Sequence, residues 1–341
     1  MLAPPPLTSV EPAAEPSFSV LIAAYEAAET VGEAVASALD QTLPPYEVIV
    51  CDDGSTDDTE AVLAPLRDRI TYLRRDENGG EGAAKNSAAR VAAGDFLLFL
   101  DADDIYLPER IEALADLSVA RPDLGLITTD AYLEKDGRRV GRYYRERVGF
   151  AVDDQRLEIV QRNFIFGHAA IRRDAFLGVG GFDESIRWTA DWDLFLRLIF
   201  AGVRAGLVDL PLASYRLQER ALTSDRVSTV RGGMETLDKA ARELDLTAEE
   251  RAVLERSREA HALTAALEET RLALLNDAPG ARRRARAVAA DRRYPWRTRV
   301  KALLAAVVPQ ITRPPAWAPR VRLPHRGPGA RRRDRGRSRQ G

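Results

Sequence analysis

The chain has 341 residues, of which 45% are hydrophobic, which suits a globular protein with one large domain and a smaller one. A single cysteine, Cys51, excludes an intrachain disulfide and fits a reducing compartment, and no run of about 18 apolar residues predicts a transmembrane helix. The net charge is −2, but residues 281–341 hold 19 Lys and Arg against two acidic residues, so an acidic body carries a basic end.

The N-terminal half predicts alternating strands and helices. Residues 1–16 are expected to be a disordered leader and lack the basic and apolar regions of a signal peptide. Apolar runs predict four strands, at residues 18–24, 47–51, 70–73 and 96–100. Helical patterns separate them, and the first begins with a capping box, Thr30-x-x-Glu33. This alternation indicates an α/β fold with a mainly parallel central sheet.

The pattern changes after about residue 124. Further strands are predicted at residues 124–128, 131–133, 164–171 and 203–215, with fewer helices between them. One helical face, formed by residues 192, 195, 196 and 199, is predicted to pack on the core. We therefore expect a leader at 1–16, an α/β domain at 17–222, a helical region at 223–310 and a disordered Pro/Arg-rich tail at 311–341.

Three carboxylates, Asp101, Asp103 and Asp104, follow the fourth strand directly. The apolar run before them is typical of a strand buried on both faces. The carboxyl ends of such strands form the rim where open α/β sheets bind ligands. Neighbouring carboxylates repel one another and are costly to bury, and Mg²⁺ or Mn²⁺ would offset that cost. The segment therefore suggests a metal-bridged phosphate substrate.

Several motifs, in this order and spacing, show that the chain resembles the family 2 glycosyltransferases over about residues 18–216. The motifs are Ser19-Val20-Leu21-Ile22-Ala23-Ala24-Tyr25, Asp52-Asp53-Gly54-Ser55-Thr56-Asp57, Asn78-Gly79-Gly80, Lys85-Asn86, Leu100-Asp101-Ala102-Asp103-Asp104, Gly180-Gly181-Phe182-Asp183-Glu184 and Asp191-Trp192-Asp193. Each is weak alone, but the ordered set is specific. The resemblance implies the GT-A fold, a Rossmann-like mixed sheet flanked by helices, here with a small helical appendage.

The resemblance also implies roles for individual residues. Asp53 would accept a hydrogen bond from the nucleotide base, and Tyr25 would lie alongside that base. Asp103 would bind Mn²⁺ or Mg²⁺ between two phosphates, and Asp191 would be the general base. The rest of the nucleotide-sugar site is expected at Ala23, Glu26, Lys85, Asp101 and Ala102. Acceptor or sugar contacts are expected at His168, Gly181, Phe182, Trp188, Ala190 and Trp192.

The reaction implied is an inverting, metal-dependent transfer of a hexose from a UDP-, GDP- or dTDP-sugar to a saccharide or lipid-linked acceptor of the cell envelope. A positioned carboxylate is needed because an alcohol is a weak nucleophile. The segment Gln-x-x-Arg-Trp of processive synthases is missing, which favours single additions. Glu26 stands where the family usually has Asn, Lys85 replaces a frequent Arg, and Ala190 replaces a frequent acid. These departures concern the identity of the nucleotide more than activity.

Two other functions are weighed against this one. A sugar-phosphate nucleotidyltransferase has a similar layout, but it needs a Gly-rich basic loop after the first strand, and residues 23–28 contain neither Gly nor a base. A non-catalytic protein that binds a nucleotide-sugar would fit the substitutions at Glu26, Lys85 and Ala190. Release of pyrophosphate would indicate the first, and binding without metal dependence or hydrolysis the second.

Simpler interpretations exist for several residues. Asp57 and Asp58 are typical of helix caps, and Asp52 of a residue that bonds its own turn. His168 fits a structural histidine, and Trp192 fits the core. The basic tail is expected to be solvated or attracted to anionic lipid at the inner face of the membrane of a cytoplasmic protein, and nucleic-acid binding is the weakest alternative.

Overall fold

The computed structural model describes residues 15–146, 148–217 and 226–307. The predicted leader falls within this range only at its last two residues, and the predicted tail at 311–341 lies outside it. The chain folds as two compact units, Met1–Ala265 and Ala266–Gly341.

The first four strands are parallel, as the alternation of strands and helices predicts. They are β1 (Phe18–Ala24), β2 (Glu47–Asp52), β3 (Thr71–Arg74) and β4 (Phe96–Asp101), and they lie in the order β3-β2-β1-β4. The helices between them are α1 (Val31–Leu39), α2 (Thr59–Leu63) with a 3-10 turn at Ala64–Leu66, and α3 (Glu81–Val91).

The register of these strands aligns their carboxyl ends. Ala23 near the end of β1 pairs with Cys51 of β2 on one side and with Asp101 of β4 on the other. The loops that follow the three strands therefore start side by side, although residues 23 and 101 are far apart in the sequence. The polar residues after these strands consequently share one edge of the sheet.

The capping box predicted at Thr30 does not form. Thr30 precedes α1, but its side chain makes no capping hydrogen bond, and the backbone N–H groups of Thr30 and Val31 both donate to the Ala27 carbonyl. Glu33 instead forms an ion pair with Arg216, at 2.6 Å. The Glu33 carboxylate, which a capping box would bond to the backbone nearby, is thus paired with an arginine that is distant in sequence.

The sheet continues with antiparallel and parallel neighbours in the second half of the first unit. The strands are β5 (Ile105–Tyr106), β6 (Leu124–Lys135), β7 (Arg138–Arg142), β8 (Ala170–Arg172) and β9 (Arg204–Arg216). The helices are α4 (Arg110–Ala120), α5 (Tyr143–Glu146), α6 (Gln155–Gln161), α7 (Arg173–Gly178) and α8 (Ala190–Phe200). Since β8 runs antiparallel to both β4 and β6, the sheet is mixed.

Two strand predictions differ from the structure. Residues 124–128 and 131–133 belong to a single strand, β6, and of residues 164–171 only the last two are in β8. Phe166 leaves the ladder because its backbone N–H donates to the Tyr144 hydroxyl, at 2.9 Å, rather than to a neighbouring strand. The apolar run at 164–166 is buried without being a strand.

Both faces of the central strands are buried. On β1, Leu21 packs with Ile49 and Leu97 in one core, whereas Ile22 packs with Val50 and Leu98 in the other. Strands covered on both faces are read in sequence as continuous apolar runs, which is why β1, β2 and β4 were predictable. The edge strand β3 has no buried residue.

Four helices complete the described chain: α9 (Arg226–Glu243), α10 (Ala248–Leu275), α11 (Ala281–Ala290) and α12 (Trp296–Val307). The first unit includes α9 and ends within α10. In the described part of the second unit the buried side chains are chiefly alanines of α11 and α12, together with larger ones such as Val288 and Tyr294. Within the described ranges, no helix is both long and apolar enough to span a bilayer.

Candidate active site

A cleft of about 870 Å³ opens at the carboxyl ends of β1, β2 and β4. We call it the strand-tip cleft. The predicted site residues that line it are Ala23, Tyr25, Glu26, Asp53, Asp101, Ala102 and Asp103. Two segments whose motifs were noted but which were given no site role also line it, residues 78–82 and the loop Glu184–Arg187. The aligned strand ends thus bring residues from three parts of the sequence to one opening.

Asp53 is buried at the base of the cleft and holds a glycine turn. Its carboxylate accepts hydrogen bonds from the backbone N–H groups of Gly79, at 3.1 Å, and Gly80, at 2.7 Å. Arg75 forms an ion pair with it at 2.8 Å. Gly80 has a φ of 91°, a conformation that glycine adopts without strain. Asp53 therefore fixes this wall of the cleft.

Asp52 serves its own turn, as its simpler interpretation predicts. It accepts hydrogen bonds from the Ser55 backbone N–H and the Tyr72 hydroxyl, at 2.8 and 2.7 Å. Burial alone would raise the pKa of Asp52, but these bonds and the charge of Arg74 hold it below its usual value. Asp57 likewise bonds Thr59 next to it, so both carboxylates are structural.

Glu26 joins the tips of β1 and β2. Its carboxylate accepts from the backbone N–H and the hydroxyl of Thr56, at 2.8 and 2.9 Å, and its own N–H donates to Ser55. Glu26 has a φ of 48°, a left-handed conformation that Asn tolerates better than Glu does. The position usually held by Asn thus lies in a backbone turn and also lines the cleft.

The carboxylates after β4 divide between buried partners and the cleft. Lys85 forms an ion pair with Asp101 at 2.8 Å, and it also contacts Glu81. His168 Nε2 lies 3.0 Å from Asp104 and 3.3 Å from Asp101. Burial alone would lower the pKa of His168, but hydrogen bonds and charge from Asp101 and Asp104 raise it to about 9. The His168 imidazole is therefore held against two carboxylates and is not among the residues that line the cleft, and its predicted sugar contact stays a prediction.

Asp103 faces the cleft, and no described side chain forms an ion pair with it. Burial and the charges of Asp104 and Asp101 raise the pKa of Asp103 to about 7. One oxygen each from Asp101 and Asp104, with a nitrogen of His168, lie within 4.8 Å of one another, a spacing that suits a metal ion. Hard divalent cations prefer carboxylate oxygens, so the chemistry of this cluster fits a cation.

Beneath this cluster lies Arg110, which sequence reasoning missed. It is fully buried and donates to the His168 carbonyl and the Thr129 hydroxyl. Its guanidinium also lies over the Tyr106 ring, 4.5 Å from the centroid. Arg110 holds the backbone of His168 in place, but nothing in the sequence distinguishes it from a surface arginine in the first turn of a helix.

Asp191 lies in the first turn of α8, next to the cleft wall and not in its lining. Its carboxylate accepts hydrogen bonds from Asn163 Nδ2, at 2.9 Å, and from the Trp192 N–H, at 2.8 Å. Burial, together with the charge of Glu81, raises the pKa of Asp191 to about 6. Glu81, whose charge acts on Asp191, itself lines the cleft.

Most residues predicted to contact the acceptor belong to the packing around the cleft. Trp192 is buried and donates its indole N–H to the Ile159 carbonyl, at 2.8 Å, which agrees with its core interpretation. Phe182 is buried against Phe99, and its backbone exchanges hydrogen bonds with Asn86. Gly181, Trp188 and Ala190 do not line the cleft either.

The loop Glu184–Arg187 lines the cleft in place of these residues, and it was identified only in part, through its motif. Glu184 accepts a hydrogen bond from Asn86 Nδ2, at 3.0 Å, which ties the loop to α3. The loop also carries Arg187, one of the few cations in a lining that is mainly acidic. Loop positions of this kind depend on contacts between distant segments, so periodicity does not reveal them.

Three comparisons bear on this site. A family model described as Glycosyl transferase family 2 matches residues 19–179. An uncharacterized glycosyltransferase of Rickettsia prowazekii is 32% identical over 53% of this chain and 58% of that protein. TuaG, a putative teichuronic acid biosynthesis glycosyltransferase of Bacillus subtilis, is 27% identical over 62% of this chain and 83% of that protein. The chain spans less than three fifths of the length of the Rickettsia prowazekii protein and of a similar uncharacterized glycosyltransferase of Rickettsia typhi.

Among solved structures, the mannosyltransferase PcManGT from Pyrobaculum calidifontis, in complex with GDP-Man and Mn²⁺, is similar. The two align with a TM-score of 0.59 and 20% sequence identity, over 91% of this chain and 86% of the other. At this identity the likeness concerns the fold.

Proposed function

The chain belongs to glycosyl transferase family 2 and has the GT-A fold, and on that premise we propose that it transfers a sugar from a nucleoside-diphosphate donor to an acceptor hydroxyl, with inversion. The observation that carries the proposal is the strand-tip cleft, where Tyr25, Asp53, Asp101 and Asp103 meet at the aligned ends of parallel strands. We assign residues 17–222 to the transferase domain and residues 223–310 to a helical region beside it in sequence.

The donor is proposed to lie along the strand tips. Tyr25 is 51% exposed in the cleft, so its ring is free to stack on a base. Asp53 presents its carboxylate at the same end, next to the glycine turn that it fixes. Lys85 is buried between Asp101 and Glu81, and it would hold Asp101 at the ribose or sugar.

A divalent cation is proposed at Asp103. Asp101 and Asp104 are already paired with Lys85 and His168, whereas Asp103, the other carboxylate after β4, lines the cleft and forms no ion pair with a described side chain. When bound, Mn²⁺ or Mg²⁺ would neutralise charge on the leaving diphosphate. The similar mannosyltransferase structure contains Mn²⁺ with its nucleotide-sugar, which supports this proposal without fixing the cation.

Asp191 is proposed as the general base. The acceptor hydroxyl would give its proton to the Asp191 carboxylate while its oxygen forms a bond to the anomeric carbon. The bond from that carbon to the diphosphate breaks on the opposite face, and the diphosphate takes the electron pair. A carboxyl with a pKa raised to about 6 is ionised at neutral pH and is a stronger base than an ordinary aspartate.

The acceptor is proposed to be a saccharide or a lipid-linked saccharide of the cell envelope, to which a single hexose is added. TuaG, named for teichuronic acid biosynthesis, supports this class of acceptor. We propose a cytoplasmic location, because the single cysteine, Cys51, is buried and unpaired, which fits a reducing compartment.

Replacement of Asp191 by Asn tests the assignment of the base. We expect Asp191→Asn to lower turnover by about 100-fold to 10,000-fold, the usual contribution of a positioned base, with donor binding unchanged. Transfer would be measured with UDP-, GDP- and dTDP-sugars, and donor binding by the shift in thermal unfolding with and without Mn²⁺.

The matched control is Asp174→Asn, which makes the same change at an exposed residue in the first turn of α7. This variant should transfer sugar at the wild-type rate. Wild-type turnover by Asp191→Asn would remove Asp191 as the base, and the absence of transfer from every nucleotide-sugar by the wild-type protein would contradict the proposed function.

A further inference from the structure

One face of α12 in the second unit is apolar and exposed. Its residues, which we call the apolar stripe, are Trp296, Val300, Leu303, Leu304 and Val307, and they are 67%, 45%, 51%, 47% and 63% exposed. Their spacing of four, three, one and three places them on one side of the helix, in a band about 100° wide. The opposite side carries Ala302, Ala305 and Ala306, which are buried. The helix thus packs through its alanines and leaves its large apolar side chains in solvent.

Basic residues surround the apolar stripe. At 100° per residue, Arg297 and Arg299 fall on its two flanks. The neighbouring α11 exposes four more arginines, Arg282, Arg283, Arg284 and Arg286, of which Arg284 forms an ion pair with Glu269 at 3.7 Å. Residues 281–307 hold nine Lys and Arg against one acid, Asp291, which is paired with Arg293. The surface is therefore an apolar band with a cationic border.

We propose that this surface of α11 and α12 binds membranes that contain anionic lipid. An interfacial helix has a basic polar face and Trp or Leu on the other face, and it lies in the plane of the interface. The apolar stripe would enter the boundary between headgroups and acyl chains. The arginines on either side would then meet lipid phosphates, which attract cations near an anionic surface.

The charge distribution argues against other occupants. A second copy of this surface would be repelled, because it would place its nine Lys and Arg against the nine of the first copy. Residues 308–341 of the same chain hold ten arginines and one acid, so they carry the same sign of charge. A nucleic acid would satisfy the arginines, but it offers no apolar phase for five large side chains. A bilayer with anionic headgroups satisfies both features.

Flotation of the full chain with lipid vesicles tests the inference. We expect the wild-type protein to float with vesicles of phosphatidylcholine and phosphatidylglycerol at low salt, to bind less at high salt, and to remain unbound with phosphatidylcholine alone. The double variant Leu303→Ser/Leu304→Ser should bind at least about tenfold more weakly, because its apolar burial is lost while every cation is kept.

The matched control is Val119→Ser/Leu210→Ser, which removes two side chains that are each 54% exposed in the first unit. This variant should float like the wild type. Trp296→Ser, at the first residue of α12, supplies a second variant in case the double variant is unstable by circular dichroism, and it should also float less. Flotation requires no sugar transfer, so a failure of the proposed function would leave this result untouched.

Three results would overturn the inference. The first is wild-type protein that stays unbound with anionic vesicles at low salt. The second is equal flotation of the wild type and both variants of the apolar stripe, which would leave charge alone as the cause. The third is stronger binding of the wild type to a nucleic acid than to anionic vesicles, together with undiminished binding by both variants of the apolar stripe.

Discussion

The surroundings of Asp191 move the pKa of an ordinary carboxyl group towards neutral pH. Burial raises its pKa to about 6, and the hydrogen bonds from Trp192 and Asn163 act in the opposite direction. A base works in its ionised form, so turnover should fall below about pH 6, by about tenfold per pH unit. The measurement is kcat against pH at saturating donor, acceptor and divalent cation.

The Asn163 amide provides a control for that pH profile. Asn163 donates to Asp191 at 2.9 Å and thereby favours the ionised form. Asn163→Ala should raise the pKa of Asp191 and move the acid limb to higher pH. An acid limb at the same pH in both proteins would show that another group controls it.

Asp103 carries the proposed dependence on metal. Burial and the charges of Asp104 and Asp101 raise its pKa to about 7, so its ionised form destabilises the folded protein above that pH. Asp103→Asn should lower transfer by about 100-fold or more and remove its stimulation by Mn²⁺. At pH 8 in a chelator, the variant should unfold at a higher temperature than the wild type.

Asp116→Asn is the matched control for this change, because Asp116 is exposed on α4. It should keep both activity and its stimulation by Mn²⁺. If Asp103→Asn retained full stimulation by Mn²⁺, the cation would have to be assigned to Asp101, Asp104 and His168.

At the scale of elements, α9 forms ion pairs and a hydrogen bond with the start of α8 and the segment before it. Lys239 bridges Asp183, at 2.7 Å, and Asp193, at 2.8 Å. The hydroxyls of Thr189 and Thr236 are hydrogen-bonded at 2.8 Å, and a Cβ at Gly232 would lie only 2.8 Å from the Trp188 side chain. A helix beyond the part matched by the family model thus supports the segment that holds Asp191.

Lys239→Met tests this support. Two carboxylates would lose a partner, although Asp193 keeps Arg197, so the free energy of unfolding should fall by about 1–3 kcal/mol. Turnover should fall as well, with donor affinity unchanged, because Asp53 and Asp103 lie on other elements. Thermal unfolding and transfer kinetics measure the two effects.

The control for Lys239 is Arg242→Met, which removes a cation from an exposed position one turn along α9. Its stability should stay within about 0.5 kcal/mol of the wild type. Equal stability and turnover of Lys239→Met and the wild type would mean that α9 does not position the segment before Asp191.

The elements that the sequence predicted are those with strong local patterns. The strands β1, β2 and β4 are buried on both faces, and their apolar runs identify them without knowledge of the partner strands. The strand expected at 164–171 was wrong over most of its length. A buried apolar run looks like a strand in the sequence, but here the Phe166 backbone N–H donates to the Tyr144 hydroxyl and not to a neighbouring strand. The predicted capping box does not form for a similar reason, because Glu33 forms an ion pair with the distant Arg216.

At the scale of the whole molecule, the strand tips were predictable and the rest of the site was not. The alignment of Asp53, Asp101 and Asp103 follows from parallel strands, and the structure places all three at the cleft. The pairing of His168 with Asp104 and the bridging of Asp183 by Lys239 join segments more than 50 residues apart. No local spacing encodes such contacts. Residues near them were predicted only from the resemblance of the motifs to the family.

The central position of β1 has a consequence for the order of folding. This strand is the first along the chain, yet it lies between β2 and β4, and β4 becomes available only after residue 101 has been synthesised. Contacts between distant segments slow folding, and incomplete sheets expose unpaired edges. On the ribosome, the strand-tip cleft therefore stays unformed until the fourth strand emerges, and the contacts of α9 with the start of α8 form later still.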